Sequence, residues 1–374
     1  MAGGASGTLR PAATRRYAAT MGPQPADISR EELQLAARNH GMPLEALRHE
    51  ITPVGLHYLL VHYDIPAVGE EWRLRVDGRV HRPLELDLDT IRALPSVTQP
   101  VTMECAGNGR AAIEPHVTSQ PWILEAVGTG EWTGTPLAPL LEQAGLLDDA
   151  VEIVFEGLDR GLEGGDEQIY GRSLTIEQAV NDGAILAYEL NGAPLPSQHG
   201  YPLRLVVPGW YGMTNVKWLS SITAVSEPFA GYQQAQSYRW RREEHEAGRP
   251  VTRMMPRALM APPGIPEFMS RERTVAATEP VAVQGRAWSG WGPIELVEFS
   301  ADGGDSWRAA ELGDQAGPHV WRGWSVSWQP AGAGRYELCC RATDATGATQ
   351  PLHPEWNLGG YENNAVQRVP VVAR

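Results

Sequence analysis

Met103-Glu104-Cys105-Ala106-Gly107-Asn108-Gly109-Arg110 is the stretch on which the reading of this chain turns. Its first half, continued backwards through Val101 and Thr102, reads as the end of a β-strand. The two glycines and Asn108 then permit a tight turn, so Cys105 falls where a strand meets a loop. A thiolate at such a position is a soft donor suited to a redox metal. Arg110 would lower the thiol pKa and could also receive an anion. Taken alone, the stretch also fits a buried, inert cysteine, the commoner fate of a free thiol. Its surroundings have to decide.

Outward from Cys105, the residues from about 55 to 230 mix the two periodicities. Trp72-Arg73-Leu74-Arg75-Val76-Asp77-Gly78 alternates apolar and polar residues and ends in a turn. Further strands are expected at Val101–Glu104, Val151–Phe155, Ile185–Leu190 and Leu203–Val207. Short helices are expected over Leu86–Leu94, closed by Pro95, and over Leu137–Ala144, stopped by Gly145. Ser29 followed by Glu32 marks an earlier helix start. Helices this short and isolated favour an α+β domain over a doubly wound sheet. Residues 239–273 are rich in Arg, Met and Pro and read as a connector laid over the surface. From about 274 onward the pattern is all β, with runs at Val281–Ala287, Ile294–Ser300, Val320–Trp328, Arg335–Thr343 and Ala365–Val372. This spacing suggests an immunoglobulin-like sandwich. The expected organisation is therefore a disordered tail (1–28), an α+β catalytic domain (29–240), a connector (241–273) and a β-sandwich domain (274–374).

The net charge of −14 argues against nucleic acid as the main partner, because that binding depends on Lys and Arg at phosphates. It leaves a small anion open, since a local pocket can be basic on an acidic protein. Apart from Cys105 the cysteines are Cys339 and Cys340, which as strand neighbours point to opposite faces and should not pair. No apolar run reaches the ~20 residues of a membrane helix. Arg15-Arg16 lacks a following apolar stretch, so no export signal is read there. The cytoplasm is the expected compartment, with a cysteine-poor periplasmic protein as the alternative.

Glu104-Cys105-Ala106-Gly107-Asn108-Gly109-Arg110 resembles the molybdenum-binding loop of sulfite oxidases and assimilatory nitrate reductases. The likeness continues in order through Gly130–Leu137, Phe155–Asp159, Ala187–Arg204, Val206–Gly212 and Val216–Leu219. It reaches Trp288-Ser289-Gly290 and Val297–Trp307, which resemble that family's C-terminal dimerisation domain. Several long motifs in one order are more specific than any single one. The resemblance implies a pterin-dithiolene cofactor carrying one molybdenum, with Cys105 as the protein's metal ligand. It places Asp159, His199, Arg204, Asn215, Val216 and Lys217 at the cofactor and Tyr238, or else its neighbour Tyr232, at the substrate. It also implies a homodimer.

The chain departs from the family pattern at its cationic positions. His62 stands where the family carries an arginine, Trp356-Asn357-Leu358 is followed by Gly359 instead of arginine, and Ser119-Gln120-Pro121-Trp122 lacks an expected lysine. Arg110 is retained, Arg172 or Arg241 could compensate, and His62 supplies charge only when protonated. The catalytic set is therefore expected to be Cys105, Arg110, Tyr238 and His62. The expected reaction is oxygen-atom transfer to a small oxyanion such as sulfite. Reduction of an S-oxide on the same cofactor and a non-catalytic relic of the fold are the alternatives. The segment before residue 50 lacks a cytochrome's His-Pro-Gly-Gly pattern, so no haem is expected. Electrons would pass to a separate cytochrome or to oxygen.

Overall fold

A computed structural model describes residues 28–374. The tail expected over 1–28 lies, but for Ile28, outside the described residues. Helix α1 (Arg30–Arg38) starts as its sequence dictates, with the Ser29 hydroxyl accepting from the Glu32 amide and the Glu32 carboxylate accepting from the Ser29 amide.

Two sheets follow. In chain order the strands are β1 (Leu74–Gly78), β2 (Leu84–Leu86), β3 (Val97–Glu104), β4 (Val127–Pro136), β5 (Glu152–Glu163), β6 (Asp166–Thr175), β7 (Ile185–Leu190), β8 (Ala193–Pro194), β9 (Arg204–Val206) and β10 (Leu219–Val225). One sheet has the order β2-β1-β10-β5-β6; the other runs β3-β4-β7-β8, with β9 also paired to β7. Strand β7 shows why the second sheet is central. Leu186 and Tyr188 join a core with Phe155, Ile222 and Leu140, while Ile185 and Ala187 join another with Met103, Trp132 and Cys105. Side chains that alternate at period two can serve two cores only if both faces are covered.

The sequence expectations needed three corrections here. The helix expected from Leu86 begins at Leu88, because the Asp87 carboxylate caps the Thr90 amide and Leu86 is used in β2. Strand β5 runs well past Phe155 to Glu163 and returns as β6, a partner the sequence did not reveal. The acidic, Gly-rich stretch between them has low strand propensity, yet Gly164 and Gly165 supply the positive φ (65° and 94°) that a tight hairpin turn requires. The third correction is that residues 241–273 are not merely a surface connector. Arg257–Ala261 is a buried strand paired antiparallel with Val281–Trp288.

The C-terminal region is β-rich. A four-stranded sheet runs Arg257–Ala261, Val281–Trp288, Arg322–Trp328, Glu311–Leu312, and a six-stranded sheet includes Gln367–Ala373, Gly334–Asp344 and Ile294–Ser300. Val283, Phe299, Trp324, Trp328, Leu338 and Val371 share one core between them. Cys339 and Cys340 are buried and free.

Candidate functional site

Cys105 follows directly on β3, and its amide donates to the Ala126 carbonyl at 2.9 Å. The loop after it is held mainly by the C-terminal region. The Glu104 carboxylate is buried and pairs with Arg257, and it accepts from Trp288 Nε1 at 2.9 Å and Asn108 Nδ2 at 3.0 Å. Asn363 Nδ2 donates to the Gly109 carbonyl at 2.7 Å, and the Glu362 amide donates to the Ala106 carbonyl at 2.9 Å. The thiol is thus fixed from two layers of the fold.

Cys105 lies in the wall between two hollows. The inner one is lined by Cys105, Asp159, His199, Arg204, Asn215, Lys217, His62 and Tyr238, and also by His57, Tyr58 and Tyr170. The outer one is a wider cleft that again touches Cys105, His62 and Tyr238 and adds Arg110, Trp122, Glu163 and Tyr361.

Strand irregularities aim the inner side chains. A register shift between Glu156 and Arg160, where β5 meets β6, turns Asp159 inward. Trp218 holds a left-handed φ of 49°, unusual for a bulky residue, beside Lys217. Lys217 Nζ donates to the carbonyls of Leu60 (2.8 Å) and Gln198 (3.1 Å) and lies 4.3 Å from the Trp218 ring centroid. Arg204 donates to the His199 carbonyl (2.9 Å) and the Asn215 carbonyl (3.2 Å) and stacks over Trp132.

The inner hollow gathers basic side chains, Arg204, Lys217, His199 and His57, with Asp159 as the acidic group among them. Burial pushes Lys217 down to about 7, helped by the charge of Arg204, and pushes Arg204 itself down to about 10. Burial also holds His199 at about 2 and His57 at about 4. The Asp159 carboxyl is raised to about 6 by burial, despite Lys217 nearby. Arg204 Nε, His57 Nε2 and Asp159 Oδ1 are buried without a hydrogen-bond partner. Native interiors rarely leave such atoms unpaired, and a set of them converging on one cavity marks a ligand's polar contacts. The cations suit a phosphate and the carboxylate suits ring N–H groups, so the donor set fits a phosphorylated pterin; Cys105 at the rim fits a soft metal.

Two cofactor candidates have other duties. Val216 does not line the hollow: its side chain is fully buried in the core with Leu203 and Leu205, and its amide bonds the Thr214 carbonyl. The Asn215 side chain braces the loop, accepting from the Val207 amide (2.7 Å) and donating to the Tyr211 carbonyl (3.2 Å). Tyr238 is buried on both hollows, whereas Tyr232 packs against Gly164 at the hairpin turn.

Arg110 is buried and braced, its Nε donating to the Gly359 carbonyl (2.9 Å) and its Nη1 to the Gln120 carbonyl (3.1 Å), with Tyr361 over the guanidinium. It does not lower the Cys105 thiol pKa overall: burial raises that pKa, and the opposing charge of Arg110 is the smaller effect. A side chain at Gly359 would run into Tyr361, whose ring lies 2.2 Å from where its Cβ would stand. Neither expected substitute cation reaches the cleft. Arg172 is buried behind the Tyr238 ring and Arg241 is tied to the carbonyls of Glu244 and Gln236. His62 faces an unforeseen partner, with its Nε2 3.0 Å from the Glu163 carboxylate.

The residues missed were His57, Tyr58, Tyr170, Glu163, Tyr361 and the Glu104–Arg257 pair. Arg257 had a local signal, being a lone cation in the apolar run Met254–Ala261. The others depend on pairings distant in sequence.

Residues 62–233 match the family model described as the oxidoreductase molybdopterin binding domain, and 263–374 match the Mo-co oxidoreductase dimerisation domain. The chain is 34% identical over 345 residues to the mitochondrial sulfite oxidase of Mus musculus, spanning 86% of this chain and 61% of that protein. It is 34% identical to the sulfite oxidase of Gallus gallus (87% and 74% of the two chains) and 31% identical to nitrate reductase (NADH) 1 of Arabidopsis thaliana (88% and 39%). Among solved structures, the sulfane dehydrogenase SoxCD of Paracoccus pantotrophus superposes with a TM-score of 0.77 at 25% identity, covering 96% of this chain and 89% of that one.

Proposed function

Because the chain belongs to the sulfite oxidase family of molybdenum-cofactor oxidoreductases, we propose that it catalyses oxygen-atom transfer to a small sulfur oxyanion such as sulfite. The observation that carries this reading is the position of Cys105, in the wall shared by a cationic inner cavity and an outer cleft. Arg204, Lys217 and His199 would hold the pterin phosphate, Asp159 would accept from pterin N–H groups, and Cys105 would ligate the metal. The bound cofactor supplies the two-electron oxygen-atom chemistry. The protein's own part is positioning and charge. Cys105 must lose its proton on metal binding, because a thiolate is the ligand and burial favours the thiol. Arg110 offers the substrate a buried positive charge. Tyr238, reaching both hollows, can donate its phenol proton to a substrate oxygen; burial keeps that phenol protonated.

The nitrate reductase likeness supports a second reading, reduction of an S-oxide or other oxygen donor on the same site. Steady-state assays of sulfite with ferricyanide, cytochrome c and oxygen, beside reductase assays on S-oxides, distinguish the two, and molybdenum analysis of the same protein tests both. Absence of molybdenum above trace would favour a non-catalytic relic. Electrons are proposed to leave to a separate carrier or directly to oxygen. The two-sheet C-terminal region is proposed to be immunoglobulin-like and to form a homodimer, and a stable 41 kDa monomer in sedimentation would contradict the dimer.

A further inference from the structure

The outer cleft carries charges of both signs near Cys105. The cation is Arg110, buried and held on two carbonyls. The fixed anion is Glu163 at the end of β5, while Asp64, also in the lining, is exposed. Its carboxylate accepts from His62 Nε2 (3.0 Å), Tyr63 Oη (2.8 Å) and Gln233 Nε2 (3.3 Å). His62 and Glu163 are each about a quarter exposed (23% and 28%). Burial alone would raise the Glu163 pKa, but those hydrogen bonds bring it below the usual carboxylate value, so it is charged at neutral pH. Its charge is felt by the phenols of Tyr238 and Tyr361. Three hydrogen bonds prevent the carboxylate from swinging aside as a surface glutamate would. The other cations of the cleft are exposed: Arg38 lies at the end of α1, and Arg160 pairs with Glu167 at 3.3 Å. Exposed charges are solvated and screened, so they weigh less on an anion at Cys105 than Arg110 and Glu163 do.

We propose that Glu163, held by His62, is a charge filter in the outer cleft, and that the substrate reaching Cys105 is a monoanionic sulfur oxyacid, hydrogen sulfite rather than the sulfite dianion. The proposal rests on the oxygen-atom-transfer reading above. One buried cation matches one negative charge. A second negative charge would meet the fixed carboxylate, which penalises the dianion as a built-in repulsive element.

Three tetrahedral sulfur compounds of similar size and graded charge test this: sulfate, methanesulfonate and dimethyl sulfone. Their binding to the molybdenum-loaded enzyme is measured by titration calorimetry at fixed pH and ionic strength. The wild type should bind methanesulfonate more tightly than sulfate. Glu163→Gln should raise sulfate affinity by about tenfold and methanesulfonate affinity by about threefold and leave dimethyl sulfone unchanged. His62→Gln, which removes the imidazole from beside the carboxylate, should weaken sulfate further. Tighter binding of sulfate than of methanesulfonate to the wild type, no measurable methanesulfonate binding, or equal gains for all three probes in Glu163→Gln would overturn the filter. The wild-type ranking needs no variant, so it decides even if a substitution disturbs folding. Failure of the underlying reading looks different: it would be protein without molybdenum, or loaded protein that turns over neither sulfite nor an S-oxide.

Discussion

The two sides of Cys105 handle charge in opposite ways. On the inner side the charges of Arg204 and Lys217 crowd together beside two neutral imidazoles, His199 and His57, with Asp159 to oppose them, and buried polar atoms of Arg204, His57 and Asp159 lack partners. On the outer side nearly every charged group is answered within the protein: Arg110 by carbonyls, His62 by Glu163, Glu163 by Tyr63 and Gln233. The inner arrangement is unfavourable until an anion arrives, which is what a resident cofactor provides. The outer arrangement is already balanced, as suits a passage for a transient ligand that must also leave. A strong cation there would improve binding of substrate and product alike and slow release.

The largest effect should come from the residue both sides share. Cys105→Ser should reduce turnover by at least about a thousandfold, because a hard hydroxyl is a poor donor where the metal takes a soft thiolate. The melting temperature should shift by only a few degrees, since Cys105 is one small member of its core. Turnover near wild type would remove Cys105 from the site.

Next in size is the anchor that fixes the cysteine loop to the C-terminal region. Arg257→Ala leaves the Glu104 carboxylate buried, with only Trp288 and Asn108 as donors. Breaking one half of a buried pair costs about 3–5 kcal/mol. Chemical denaturation should show a loss of that order, and Glu104→Gln in the same chain should recover part of it. A loss below about 1 kcal/mol would mean that the two regions are held mainly by apolar packing.

How legible these features were follows the distance over which they are determined. Strand β7 and the helix Leu137–Ala144 were visible because their periodicity and stop signals lie within the segment. Cys105, Asp159, His199, Arg204 and Lys217 were visible through ordered motifs, and all five line the inner hollow. Glu163 was not visible. It belongs to the hairpin of β5 and β6, whose acidic, Gly-rich sequence reads as loop until the partner strand is known, and it meets His62 from 101 residues away. Val216 was misplaced for the converse reason. It sits within a motif, but Leu205 donates its amide to the Val216 carbonyl and the side chain is drawn into the core.

The inner side also predicts a pH dependence. The folded cofactor-free protein holds Lys217 at about 7, below the ~10.4 of an unfolded chain. Between those values the unfolded state binds the extra proton, so stability should rise with pH across that window, by at most about 1.4 kcal/mol per unit; below about 7 the full penalty is present. Thermal melts of cofactor-free protein from pH 7 to 8, below the range where the buried thiols oppose the trend, should therefore climb, Lys217→Met should flatten the climb, and the same variant should retain less molybdenum after purification. A wild-type melt that is level over this range would show Lys217 to be better solvated than its burial implies.

The smallest effect tests the balance of the outer side. His62→Arg restores the cation that the family carries at this position, and considered alone it should favour an anion. Glu163, however, lies 3.0 Å from the present imidazole and would pair with the new guanidinium as well. The added charge is then largely answered before substrate arrives, and the gain should be limited to about a threefold lower Michaelis constant for sulfite, roughly 0.7 kcal/mol. With Glu163→Gln in the same chain the guanidinium is left free, and the gain over the glutamine variant should reach about tenfold. The two substitutions should thus be non-additive, as expected for groups in direct contact. Because the cation acts on the bound anion, the change should appear in the Michaelis constant more than in turnover number. Equal gains from His62→Arg with and without Glu163 would mean that the arginine turns away from the carboxylate, and that Glu163 does not set the charge the substrate meets.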